Sequence, residues 1–384
     1  MTAPRRRWLR HALAAWAAPA LASSTTQALA LALDDHDHIR AGRPLTFPRD
    51  HGAHPGARIE WWYATGWLQA ATAGGEGSGP LIGFQLTFFR SRTGLAESLP
   101  GRFAPRQLLF AHAAVSALTA GRHRHAQRIT RWSGDEALPE AHAMRADTGL
   151  ALGRWTLRRE AADGAYRARL AAPEAGFGLD LTLQPTQPLL LQGDAGFSRK
   201  GPQPQQASHY YTQPQLAVQA TLTLDGRPLR ALGRGWLDHE WSDELLAPGA
   251  VGWDWIGINL TDGGALTAFV LRLADGGVVW AGGSHRPPAG AVQAFGPDQV
   301  QFTALRRWTS PATGARYPVQ WRITTPVGAF ELRALLDAQE LDSRASTGTV
   351  YWEGLAELLG PGGARVGLGY LEMTGRAQPL RLGL

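Results

Sequence analysis

The chain has no cysteine. Disulfides, zinc-thiolate sites, iron–sulfur ligation and a lipid-bearing N-terminal Cys are therefore excluded. Export does not need disulfides, so the compartment stays open on this ground. Lysine is nearly absent as well: Lys200 is the only one, and the other basic residues are arginines. No basic run is interleaved with aromatics, which argues against nucleic acid as a partner. No window holds a sustained helical period. There is no Gly-x-Ser-x-Gly elbow, no His-Glu-x-x-His and no phosphate-cradling glycine loop. A Ser-His-Asp hydrolase on Ser208 or Ser242 stays formally open, although nothing in the sequence orients such a set. His51, His54 and His239 lack a metal-ligand spacing.

What is abundant is glycine (46), proline (25) and tryptophan (15). The first two favour short strands joined by turns over long helices. The tryptophans supply flat aromatic surface suited to a lipophilic site. At 384 residues the chain is long enough for two domains. The formal charge of +6 owes four positive charges to Arg5, Arg6, Arg7 and Arg10, so 34 basic and 32 acidic residues remain without them, a net of +2. Those arginines precede an apolar run, Ala12 to Ala22, and small-residue cleavage options at Ala20-Leu21-Ala22 and Ala28-Leu29-Ala30. This pattern predicts an export signal over residues 1–30, twin-arginine in type, and a periplasmic or secreted mature protein. A transmembrane anchor fits less well, because Ser23 to Gln27 interrupts the apolar stretch. Residues 31–50, with Asp34-Asp35-His36-Asp37-His38, are expected to be a solvated linker and not a metal site.

Strand patterns begin at Glu60. Glu60–Leu68 and Leu81–Arg90 predict a hairpin across the loop from Gly74 to Pro80. Further strands are expected at Phe110–Leu118, Trp155–Arg158, Tyr166–Leu170, Leu179–Leu183 and Leu216–Leu224, the last turning at Asp225-Gly226. Trp253–Leu260 and Ala265–Arg272 then repeat the opening hairpin, with an acid beside tryptophans and a strand ending in arginine. Two similar openings predict two β modules, and closed antiparallel barrels leave no exposed edge. Lys200 to Gln206 is expected to lie over a barrel mouth.

Two stretches concentrate acids among indoles: Glu60-Trp61-Trp62-Tyr63, and Asp238-His239-Glu240-Trp241 followed by Trp253-Asp254-Trp255. An ionised carboxylate among indoles is costly unless it is paired or stays protonated. Together they predict an apolar pocket with an acid inside it. Strand alternation keeps Asp238 and Glu240 on one face and His239 on the other. An arginine such as Arg234 could instead lock Asp238 or Glu240 structurally, and Glu60 could pair with Arg90. His112 reads as a hydrogen-bonded core histidine, while Glu353 and Glu372 could be interior acids or edge pairs.

These motifs, with Tyr351-Trp352-Glu353-Gly354 and Gly369-Tyr370-Leu371-Glu372-Met373-Thr374-Gly375, resemble the secreted AttH-like, lipocalin-like family that includes carotenoid 1,2-hydratases. The resemblance runs from His54 to Gly375. It implies an all-β protein of two consecutive lipocalin-like barrels, at residues 51–243 and 244–384. It also implies relatives that hydrate carbon–carbon double bonds without metal or organic cofactor. On that likeness Asp238, His239 and Trp241 are the candidate catalytic residues, with Asp254 the alternative acid. Glu60, Trp61, Trp62, Tyr63, Glu240, Trp253 and Trp255 are the candidate ligand-binding residues. Physically, a protonated acid held among indoles can protonate an alkene, and indole faces can stabilise the cation by ~2 kcal/mol each when dry. The expected partner is a lipophilic small molecule. The alternative is a periplasmic carrier or chaperone without turnover, serving an envelope transport system.

Overall fold

The computed structural model describes residues 37–71, 79–95, 104–244 and 246–380. The export segment, Asp34-Asp35-His36 and most of the loop from Gly74 to Pro80 lie outside the described residues. Period-two alternation builds an all-β molecule, and its helices are three-residue 3-10 turns. Among the described residues no helix is long and apolar enough to cross a membrane.

Two antiparallel sheets follow one another along the chain. The first has 13 strands and curls into a nearly closed barrel. At its centre Ile59–Ala70 lies between Leu81–Arg92 and Arg227–Ser242, and Ala207–Leu224 follows on the far side of Arg227–Ser242. The second has ten strands and forms a half-barrel. There Gly252–Leu260 pairs with Ala265–Arg272 and with Arg365–Met373, which in turn pairs with Val350–Leu359.

Alternation sorts most buried side chains of the described residues into three large cores. Even-numbered residues of Ile59–Ala70, Trp62, Ala64 and Leu68 among them, join Leu237 inside the first barrel. Ile256, Ile258, Trp352, Leu371 and Met373 fill the second. The third core lies between the sheets, where Tyr63 and Trp236 of the first meet Trp255, Phe269, Leu271, Leu355 and Tyr370 of the second. Burying one such large side chain stabilises by roughly 1.5–3 kcal/mol. The sheets approach closely because of glycines at the contact: a methyl on Gly257 would strike the indoles of Trp255 and Trp236, and one on Gly83 would sit 2.8 Å from the Tyr370 hydroxyl.

Polar clamps fix the spacing of the sheets at both ends. At one end the strand Ala207–Leu224 bulges between Gln213 and Leu216. There Gln215 receives Asn259 Oδ1 on its backbone N–H at 2.7 Å and donates its side-chain amide to the Leu260 and Gly264 carbonyls at 2.9 and 2.7 Å. At the other, His112 meets the Tyr351 hydroxyl at 2.8 Å and Ser116 donates to Gln339 at 2.8 Å.

The described part of the expected linker is solvated only in part: residues 40–42, 44 and 46–48 are exposed, whereas its two acids are buried. Asp37 is buried, pairs with Arg49 at 2.9 Å and accepts the Gly56 N–H at 2.9 Å. Asp50, further along, joins a buried ion cluster. The segment is held because Asp37 accepts the Gly56 N–H and Asp50 meets His54, while Arg49 and Arg43 of the segment itself pair with the two acids.

Candidate functional site in the cleft between the sheets

The cavity lies between the two sheets, outside the interior of the first barrel. Odd-numbered Ile59, Trp61 and Tyr63 and even-numbered Asp238, Glu240 and Ser242 form part of its floor, and the strand register sets Tyr63 opposite Asp238 and Trp61 opposite Glu240. The second sheet supplies Trp253, Trp255, Phe269, Tyr351, Glu353 and Glu372. The volume is about 120 Å³, enough for on the order of ten waters. A compact ligand fits, or one end of a long one.

Asp238 is 3% exposed and has no cationic partner among the described residues. Three neutral donors hold it: Tyr210 at 2.8 Å on one oxygen, and Thr212 at 2.5 Å and the Trp236 indole N–H at 2.8 Å on the other. Burial pushes its carboxyl up to about 7; the three hydrogen bonds oppose this, and the nearby Glu240 adds to it. A group poised there can both hold and release a proton near neutrality. The Tyr210 hydroxyl also receives the Trp255 indole N–H at 3.3 Å. If Asp238 carries the proton and donates it to Tyr210, the phenol is free to turn its own proton to the cavity.

Glu240 differs from Asp238 by one partner. Lys200, from the segment expected over a barrel mouth, sits 2.9 Å from it, and Ser208 donates to it at 2.5 Å. The same ammonium lies 4.7 Å from the Tyr210 ring centroid and 4.3 Å from that of Phe269. Arg234 takes no part: alternation leaves it on this face, but it lies four residues along the strand from Asp238, where it is exposed. Across the cleft Glu353 and Glu372 stand directly opposite one another on adjacent strands. Burial raises both. Glu372 reaches about 7 despite the Trp253 N–H at 2.9 Å, and Glu353 stands well above the carboxylate range with Glu372 as its next cause.

The structure divides the expected site residues. Asp238, Glu240, Trp61, Tyr63, Trp253 and Trp255 share the cavity. His239, Trp241, Trp62 and Glu60 lie on the opposite face of the same two strands, because each is one residue out of phase. There His239 bonds Glu60 at 2.9 Å and Tyr211 at 3.1 Å and stacks on Trp62, while Trp241 stacks on His54 at 3.7 Å. Glu60 also binds the Arg90 guanidinium at 2.8 Å and His54 at 2.7 Å. His54, Glu60 and His239 converge as metal ligands would, but Arg90 already brings the positive charge there, which disfavours a cation. Asp254 is excluded by its partners: it is fully buried between Arg272 at 2.8 Å and Arg376 at 2.6 Å. Ser208 donates to a carboxylate and Ser242 to the Ala207 and Glu244 carbonyls, so neither is set against a histidine base.

Tyr210, Thr212 and Lys200 belong to the site and were not expected there. A usable signal existed for the first two. The Asp225-Gly226 turn, both residues at positive φ, pairs Leu224 with Arg227. Counting back in that register sets residue 213 opposite Asp238, and the bulge moves this to Thr212.

Known proteins can now be set beside this geometry. The AttH-like family matches residues 38–376. A solved structure assigned to AttH, from Nitrosomonas europaea, is 44% identical, with a TM-score of 0.80 over 88% of this chain and 99% of that one. Kievitone hydratase from Nectria haematococca is 14% identical, with a TM-score of 0.63 over 88% of this chain and 95% of that one, and shares the fold alone. No curated protein matches. The span of the family match and the 44% identity establish that this chain belongs to the AttH-like family.

Proposed function

We propose that the protein is a cofactor-independent acid catalyst that adds water across a carbon–carbon double bond of a lipophilic molecule held between the sheets. The observation that carries this reading is Asp238: a carboxyl poised near neutrality in an aromatic cavity, held by neutral donors and without a counter-cation among the described residues. The proton passes from Asp238, directly or through Tyr210, to one alkene carbon. The other carbon becomes a cation facing the Trp61, Trp253 and Trp255 indoles. Water attacks it, and the oxonium returns a proton to the Asp238 carboxylate, which restores the acid. Glu240, tied to Lys200, is placed to orient the water. His239 and Trp241 serve this scheme only by fixing the strand that carries Asp238. Export, suggested by the arginines and apolar run of residues 1–30, would place the reaction outside the cytoplasm.

Asp238→Asn is the test. With an acyclic isoprenoid alkene as probe, mass spectrometry should find a product heavier by one water from the native protein. The variant should lose about 10²- to 10⁴-fold in turnover while still quenching its tryptophans on ligand addition. A ligand recovered unchanged from both proteins would leave only carriage.

A further inference from the structure

Glu372 is engaged by the Trp253 indole, but Glu353 is not. Its side chain is 2% exposed, its Oε1 makes no hydrogen bond of good geometry among the described residues, and neither does the neighbouring Tyr63 hydroxyl, although the two lie near enough to interact. Leaving a buried polar atom unpaired costs about 1–3 kcal/mol. Two such atoms lining one cavity are open to a partner inside it, which a ligand oxygen can supply in place of water.

A chain of hydrogen bonds fixes which way protons run around Glu353. Gln127 Nε2 donates to the Asp342 carbonyl at 2.9 Å, which turns its Oε1 toward Ser346. Ser346 therefore donates to that oxygen, at 2.6 Å. His112 Nε2, 2.8 Å from the same hydroxyl, must donate to it. Burial keeps the imidazole neutral, its pKa lowered to about 3, so Nδ1 bears a lone pair and accepts the Tyr351 O–H at 2.8 Å. In this tautomer the Tyr351 proton lies toward His112, and Glu353 receives at most a share of it. An ionised Glu353 would then face the Glu372 carboxyl; a protonated Glu353 does not suffer that repulsion.

We infer that Glu353, Glu372 and Tyr63 form a donor subsite for a hydrogen-bond-accepting oxygen, such as a ketone or enone carbonyl, on the substrate at a distance from its reacting double bond. The carbonyl's two lone pairs would take the Glu353 and Tyr63 protons, while its apolar body lies along Trp61, Trp255 and Phe269. The inference rests on the hydration reading for the position of the double bond alone. It makes the substrate an oxygenated isoprenoid-like molecule and not a pure hydrocarbon.

Binding, read by tryptophan quenching at mildly acidic pH, tests this without any turnover. The probes are geranylacetone, the hydrocarbon with a methylene in place of its carbonyl, and geranylamine. The wild type should bind the ketone about tenfold more tightly than the hydrocarbon, the scale of one added hydrogen bond. Glu353→Leu should erase that advantage. Glu353→Gln, which keeps an N–H donor, should retain part of it, and Asp238→Asn should leave it whole. Tyr63→Phe supplies a second reading should the leucine variant not fold: it should reduce the advantage. Equal affinity for ketone and hydrocarbon in the wild type would overturn the subsite, as would preference for the amine or an advantage that survives loss of Glu353. Absent hydration would leave this result standing, and hydration without ketone preference would remove the subsite alone.

Discussion

The two faces of one strand pair, Ile59–Ala70 with Arg227–Ser242, bury acids in opposite ways. On the barrel face Glu60 is enclosed by Arg90, His54 and His239. Burial alone would raise its carboxyl, but the Arg90 charge and the histidine contacts hold it well below the usual range. The companion histidine yields instead: burial lowers His239 to about 4 against the pull of Glu60. On the cavity face, one residue away in sequence, Asp238 meets hydroxyls and an indole and rises to about 7. The depth of burial is similar, and the partner set decides the sign. A buried acid with a cation is a fastener, whereas one with only neutral donors keeps a transferable proton.

Removing the cation from the fastener should have the largest effect. Arg90→Met leaves Glu60 charged and enclosed, and breaking a buried pair this way costs roughly 3–5 kcal/mol. Urea unfolding should show that loss as a lower midpoint at unchanged slope. Glu353→Gln, at a comparably buried position without a cation, should stay within about 1 kcal/mol. Equal losses for both would mean that a cationic partner does not decide what a buried acid contributes.

The second test uses pH. Asp238 is protonated more readily folded than unfolded, so its contribution is fully present below its unfolded pKa near 3.8 and is lost as pH rises through about 7. Glu60 behaves in the opposite sense: its contribution is present above its unfolded pKa of 4.5 and is lost as pH falls. Asp238→Asn should therefore gain on the wild type by about 2 kcal/mol when unfolding is compared at pH ~8 and pH ~5. A gain of the same size at both pH values would show that the folded carboxyl titrates normally.

Much of this division could be read from the sequence, because alternation is a property of residue number. Asp238 and Glu240 had to share a face and His239 had to leave it. The face that each would meet was a different matter. It depends on Gly83 and Gly257 letting the sheets close on one another, and on Gln215 and Asn259 meeting 44 residues apart. Asp254 shows the limit most clearly. Its Trp-Asp-Trp setting reads like Asp238's, but Arg376, 122 residues on, arrives to neutralise it. The strand Ala207–Leu224 was recognised only from Leu216, since Pro214 and the polar run before it conceal its first half. Tyr210 and Thr212 lie in that half. Glu353 and Glu372 could be singled out as acids, but not as neighbours, until the register of Val350–Leu359 with Arg365–Met373 was known.

The smallest expected effect gives the closest comparison, because it removes one oxygen from each face. The Tyr211 hydroxyl, on the barrel side, bonds His51 at 2.8 Å and His239 at 3.1 Å. Tyr211→Phe strands two imidazole nitrogens in the interior and should cost about 1–2 kcal/mol. The Tyr63 hydroxyl is also buried, but it makes no hydrogen bond of good geometry among the described residues, with the Glu353 carboxyl nearby. Tyr63→Phe removes a hydroxyl with no well-formed protein hydrogen bond, so the ligand-free protein should lose less than about 0.5 kcal/mol or gain slightly. A loss at Tyr63 as large as that at Tyr211 would mean that the hydroxyl is already satisfied in the empty protein. Then the cavity face would be as closed as the barrel face, and nothing there would await a ligand.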